Sequence, residues 1–246
     1  MAARDAQNRT RYAFIAVTVV AVAIMFVLFN GALSWSRLAP RHPPEEKVQQ
    51  TITQQWLKST RITNSLLGID VGVDDIPIVG SFSLYILAVW FFYSIRRENH
   101  LIARLLIDSK TGEDKKFTPE IFHGVCSYLV FTTLTKDDEP IDNVDPKTKL
   151  SLIFYLRPTF VALIYLPAIT IAFMIIADIV TLYFLSIRTP NISMLENMSP
   201  PQWVHFAIRN GIALVAGTTI YHLCTQILRF ERATGKILRE YHDKYV

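Results

Sequence analysis

Four apolar stretches, each long enough to cross a hydrocarbon core, constrain this 246-residue chain more than any other feature. A core about 30 Å thick needs about 20 helical residues at 1.5 Å each. An open strand edge in lipid would leave backbone groups unpaired, so the stretches must be helices. The first, 12–35, starts at Tyr12 and softens through Asn30 and Gly31; the second, 76–95, follows Asp74-Asp75 and stops at Arg96-Arg97. The third, 159–187, lies between Arg157-Pro158 and Arg188-Thr189-Pro190. At about 43 Å it has to tilt, kink at Pro167 or protrude. The fourth, 210–228, sits between Arg209 and Arg229. The expected fold is all-α, a polytopic membrane protein with four transmembrane helices.

Orientation follows from lysine and arginine, because short loops rich in them stay cytoplasmic. Residues 1–11 carry three, 96–157 carry ten and 229–246 carry five, against five in 36–75 and two in 188–209. Both termini are therefore expected in the cytoplasm. Residues 121–134 are also apolar, but fourteen residues reach only about 21 Å, which suits a buried or interfacial helix. Counting them as a fifth span would leave eleven basic residues inside and fourteen outside, reversing the bias. Ala32-Leu33-Ser34 has the small-x-small form of a signal cleavage site. The apolar run before it exceeds the usual 7–15-residue signal core, so a retained anchor is expected.

Outside the spans, the pattern is again helical. In the extracytoplasmic loop 36–75, prolines at 40, 43 and 44 give way to Val48, Ile52, Trp56, Ile62 and Leu66 at three- to four-residue multiples. That spacing predicts an amphipathic helix resting on the membrane or offering a docking face. In the cytoplasmic region 96–158, Leu101, Ile102, Leu105 and Leu106 extend the second helix as a stalk to about Asp108. Thr118-Pro119 then caps a second helix, 119–133, and an acidic linker, 136–146, returns to the membrane. A helical hairpin of that size is marginal alone and calls for the membrane, another copy or a partner. The tail, 229–246, is a basic amphipathic helix with Arg229, Arg232, Lys236 and Arg239 on one side.

Positive charge beside the spans, at Arg96, Arg97, Arg229, Arg232, Lys236 and Arg239, is expected to meet anionic inner-leaflet phosphates or, as the alternative, a docking partner, and not nucleic acid. Cys126 and Cys224 fall on or near the cytoplasmic side, which argues against a disulfide. Asn191-Ile192-Ser193 and Asn197-Met198-Ser199 match the glycosylation pattern in the outer third loop, Pro200 disfavouring the second; Asn8-Arg9-Thr10 matches on the cytoplasmic side.

Ionisable groups within a bilayer are the default functional candidates, because leaving them unpaired is costly. The spans hold two, Asp178 in the third and His222 in the fourth. Measured from the span midpoints they differ in depth by about 12 Å, too far for direct contact. Arg209 lies about 7 Å beyond Asp178 in depth, within an arginine's reach, so an Asp178–Arg209 pair is expected. Tyr221, His222 and Gln226 would be costly in lipid, and their face should meet another span or another subunit.

Enzyme chemistry finds little support. His123 and Cys126 share a helix face without further ligands, and the chain has no CxxC, HExxH or glycine-rich phosphate loop. Ser34, Ser81 and Ser127 have no base placed beside them. His222 alone among the histidines lies well inside a span, so paired axial haem ligands are missing. No catalytic residue, cofactor or metal is expected. The two halves do not resemble each other, as they would in a transporter built from repeats. The expectation is a non-enzymatic subunit of a larger membrane assembly for secretion, transport or energy transduction, in a bacterial inner membrane or an organelle membrane. Its partners would be lipids, other membrane subunits or further copies of itself. The alternatives are a small oligomeric channel or transporter using Asp178 and His222 and, third, a membrane enzyme using His123, Cys126 or His222.

Overall fold

A computed structural model of the chain describes residues 2–38, 62–64, 69–71, 76–111, 159, 161–180 and 200–245. Apart from one small hairpin, its described elements are helices: α1 (Ala2–Leu38), α2 (Ile76–Thr111), α3 (Val161–Val180) and α4 (Pro200–Tyr245). All four are long and apolar enough to cross a membrane, as in an integral multi-pass protein.

Three of the helices outrun their apolar stretches. α1 has 37 residues and α4 has 46. At 1.5 Å per residue they reach about 56 and about 69 Å, more than the roughly 40–45 Å of a bilayer with its headgroups, so both must project from it. α1 extends back to Ala2 because nothing in the polar lead breaks a helix, and Asp5 in the first turn complements the helix dipole. α2 continues past Arg96-Arg97 to Thr111, with Arg104 and Asp108 paired at 3.8 Å on its exposed side. That pair is 82% and 68% exposed and contributes little. α4 begins at Pro200, inside the segment 188–209 expected to be a loop. Proline suits a first helical position, and Arg209 is paired inside the protein, so its charge no longer ends the helix.

The loop between α1 and α2 departs from expectation. Strands β1 (Ile62–Asn64) and β2 (Ile69–Val71) pair antiparallel, with Ile62 opposite Val71, Thr63 opposite Asp70 and Asn64 opposite Ile69. The amphipathic helix predicted through Ile62 and Leu66 therefore does not extend to this point. A spacing of four serves a strand as well as a helix, and β-branched Ile62, Thr63, Ile69 and Val71 favour the strand. The earlier part of that helix lies outside the described residues. So do the predicted helix 119–133, the linker 136–146, the end of the third span beyond Val180, His123, Cys126, Ser127, Asn191 and Asn197.

The chain divides into two compact units. The first comprises Met1–Thr18, Ile86–Leu166 and Ile220–Val246, and the second Val19–Tyr85 and Pro167–Thr219. In the first, Ala6, Thr10, Ala13 and Val17 of α1 are buried at three- and four-residue steps, and Ala88, Phe91, Ile95 and, two turns on, Ile102 of α2 are buried along one face. Phe14 meets Phe91 with ring centroids 5.6 Å apart, and Phe92 meets Phe230 at 5.9 Å. Cys224 is buried and its thiol donates to Ile164 O of α3 at 3.1 Å.

In the second unit, close approach depends on two glycines. A Cβ on Gly80 would lie 3.2 Å from Ile24 of α1 and 3.3 Å from Met174 of α3. A Cβ on Gly217 would lie 3.0 Å from Ile171 Cγ2. Without a hydrophobic driving force between spans, small residues of this kind let helices gain dispersion contact.

Candidate functional site

The intramembrane carboxylate is built into the second unit. Asp178 follows the buried positions Ile164, Pro167, Ile171 and Met174 at steps of three and four, so it faces inward like them. Arg209 Nη2 of α4 donates to Asp178 Oδ1, and Asn210 Nδ2 donates to Oδ2 at 2.6 Å. Asn210 Nδ2 also donates to Phe206 O at 3.1 Å, and the Arg209 guanidinium lies 5.8 Å from the centre of the Phe206 ring. Asp178 and Arg209 side chains are 13% and 11% exposed. Two adjacent residues of one helix thus hold both oxygens of a carboxylate on another. A charge-assisted clasp of this type orders two helices and opposes sliding of one along the other.

His222 is not part of this arrangement. It belongs to the first unit, is exposed, and lies 3.4 Å from the Gln226 amide nitrogen through its Nε2. Tyr221 is 59% exposed and packs its ring against Tyr165 of α3, centroids 5.6 Å apart. Tyr165 also approaches Thr225, hydroxyl to hydroxyl, at 3.4 Å. The polar group of α4 therefore splits, with Tyr221 touching α3 at its edge and His222 and the half-buried Gln226 turned outward. The chain matches no family model, no curated protein and no solved structure.

Basic residues gather in the first unit. Arg96 and Arg97 on α2 and Arg229, Arg232 and Lys236 on α4 are all exposed; Arg239 is helical, its side chain outside the described set. Asn99 brings the two groups level: its amide donates to Phe230 O at 3.3 Å and to the Thr234 hydroxyl. Thr234 Oγ1 in turn donates to Phe230 O at 3.0 Å. Next to it, Glu98 is partly buried, hydrogen-bonds the Thr10 side chain and feels the charge of Arg11 on α1. Consecutive residues of α2 thus tie two different helices at the start of its charged section.

Glu98, Asn99 and Asn210 were not singled out from sequence. Steps of three and four from Phe91 through Ile95 land on Glu98 and then on Ile102, and that continuation of the buried stripe was the available signal. Ser81, weighed above as a nucleophile, is buried with its hydroxyl unbonded and no base beside it among the described residues. Among the described residues no three histidine, cysteine, aspartate or glutamate side chains gather where a metal could be held.

Proposed function

We propose that this chain is a non-enzymatic integral subunit of a larger membrane assembly, contributing packing and docking surfaces to a secretion, transport or energy-transducing complex. Its termini lie in the cytoplasm of a bacterium or in the equivalent compartment facing an organelle membrane. The observation that carries the reading is how the polar groups of α3 and α4 are used. Asp178 has both oxygens committed to Arg209 and Asn210 of the next helix, whereas His222 faces away from the other helices. The first is how a protein fixes helix register, and the second is how it presents a face to something else. The exposed arginines at the ends of the spans fit the phosphates of an anionic leaflet.

A channel using Asp178 would need that carboxylate to meet a water path, and its two bonds within the bundle speak against this. Purification of a tagged chain from its native membrane in mild detergent, with mass spectrometry of what accompanies it, tests the proposal. Stoichiometric partners support it. A chain that purifies with nothing else bound and conducts ions, with conductance lost in Asp178→Asn, overturns it in favour of the channel.

A further inference from the structure

The outward face of α4 in the first unit carries hydrogen-bonding groups at a depth where lipid offers none. His222 lies seven residues, about 10 Å, before Arg229, the first charge after the apolar stretch. With Arg229 at the headgroups, His222 is within the hydrocarbon. The other sides of the helix are occupied: Tyr221, Cys224 and Thr225 contact α3, and Phe230 and Thr234 contact α2. At 100° per residue, these contacts leave an arc of about 140° from Thr225 to Phe230, centred on His222 and containing Gln226. The two side chains bond only weakly to each other, at 3.4 Å, and retain further donor and acceptor capacity.

We infer that this face is a contact between two copies of the chain, α4 against α4, an inference that rests on reading the chain as a packing subunit. Copies inserted the same way round bring each of these residues level with its own counterpart, His222 with His222 and Gln226 with Gln226, without any further requirement. Each group is also both donor and acceptor: a neutral imidazole has one N–H and one bare nitrogen, and a carboxamide has N–H and C=O. A twofold axis along the membrane normal therefore sets His222 against the other copy's His222 and Gln226 against the other copy's Gln226, and each group can pair with its own image as donor to acceptor. A different partner would have to carry matching groups at that depth independently. Arg229, about 4.5 Å beyond Gln226 along the axis, would face its own image in a strictly parallel pair. The helices accordingly cross at His222 and Gln226 and diverge below, leaving Arg229, Arg232 and Lys236 to reach phosphates.

The test is disulfide cross-linking in native membranes, in a chain carrying Cys126→Ser and Cys224→Ala. Gln226→Cys is expected to give a linked species of twice 28.1 kDa on oxidation, whereas Phe82→Cys, 65% exposed on α2, gives none. In reconstituted vesicles, energy transfer between two labelled populations should show self-association weakened about tenfold by His222→Leu with Gln226→Leu. Each variant must melt as the parent does, which separates lost contact from lost fold. Equal linking at 82 and 226, or none at either, overturns the self-contact. Linking of Gln226→Cys to a different polypeptide overturns it while leaving the subunit reading intact. No linking, together with a chain that purifies alone, removes both.

Discussion

Removing Arg209 should be the most damaging single change in the spans, and the structure says why. In Arg209→Met the Asp178 carboxylate, 13% exposed, keeps, among the described residues, only the Asn210 amide as a partner. An uncompensated charge at such burial costs about 3–5 kcal/mol. Asp178→Leu is milder, at about 1–3 kcal/mol, because arginine is long, sits near the start of α4 over Phe206 and can turn its head toward the headgroups. The double variant, Asp178→Leu with Arg209→Met, leaves neither charge stranded and should fall within about 1–2 kcal/mol of the parent. The cycle thus predicts a coupling of at least about 2 kcal/mol. Reversible unfolding in mixed micelles, followed by tryptophan fluorescence and helical circular dichroism, reads all four corners. Single losses that add to the double within about 0.5 kcal/mol would refute the argument, because the two charges would then be solvated independently.

Three further predictions follow from the packing. Gly217→Ala should destabilise by about 1–2 kcal/mol, since its methyl meets the stiff, β-branched Ile171 at 3.0 Å. Gly211→Ala meets nothing within 4 Å and should be neutral or gain up to about 1 kcal/mol of helix propensity; melting temperatures in one detergent compare the two. Asn99→Ala should cost about 1–2 kcal/mol by removing both bonds to α4, and Thr234→Ala less, since Phe230 O retains the Asn99 donor; denaturant titration of the two variants side by side checks the order. Cys224, 1% exposed, should resist a membrane-permeant maleimide in the folded chain and react fully in denaturant, as read by peptide mass mapping; rapid labelling of the native protein would contradict its place against α3.

How much was legible in the sequence varies from residue to residue. The membrane spans were, because about 20 apolar residues in a row satisfy a requirement of the bilayer and not of any particular neighbour. Asp178 and Arg209 could be matched by depth alone, since helical rise converts residue number to height. Asn210 as the second donor could not, because it depends on the rotation of α4 about its own axis, which height does not report. The Ile62 segment misled for a related reason: a spacing of four fits both a strand and a helix, and pairing with Ile69–Val71 decides between them.

By itself, then, the sequence determined that this chain has four apolar helices and where along them its few polar groups lie, because both follow from local composition and a constant rise. Only the tertiary structure decided which of those groups are turned inward and which outward. It placed Asn210 as the second donor to Asp178, set Asn99 against Thr234, and left His222 exposed. Those outcomes depend on how each helix is rotated and how closely its neighbours approach, as at Gly80 and Gly217, and both are set by side chains far apart in the chain.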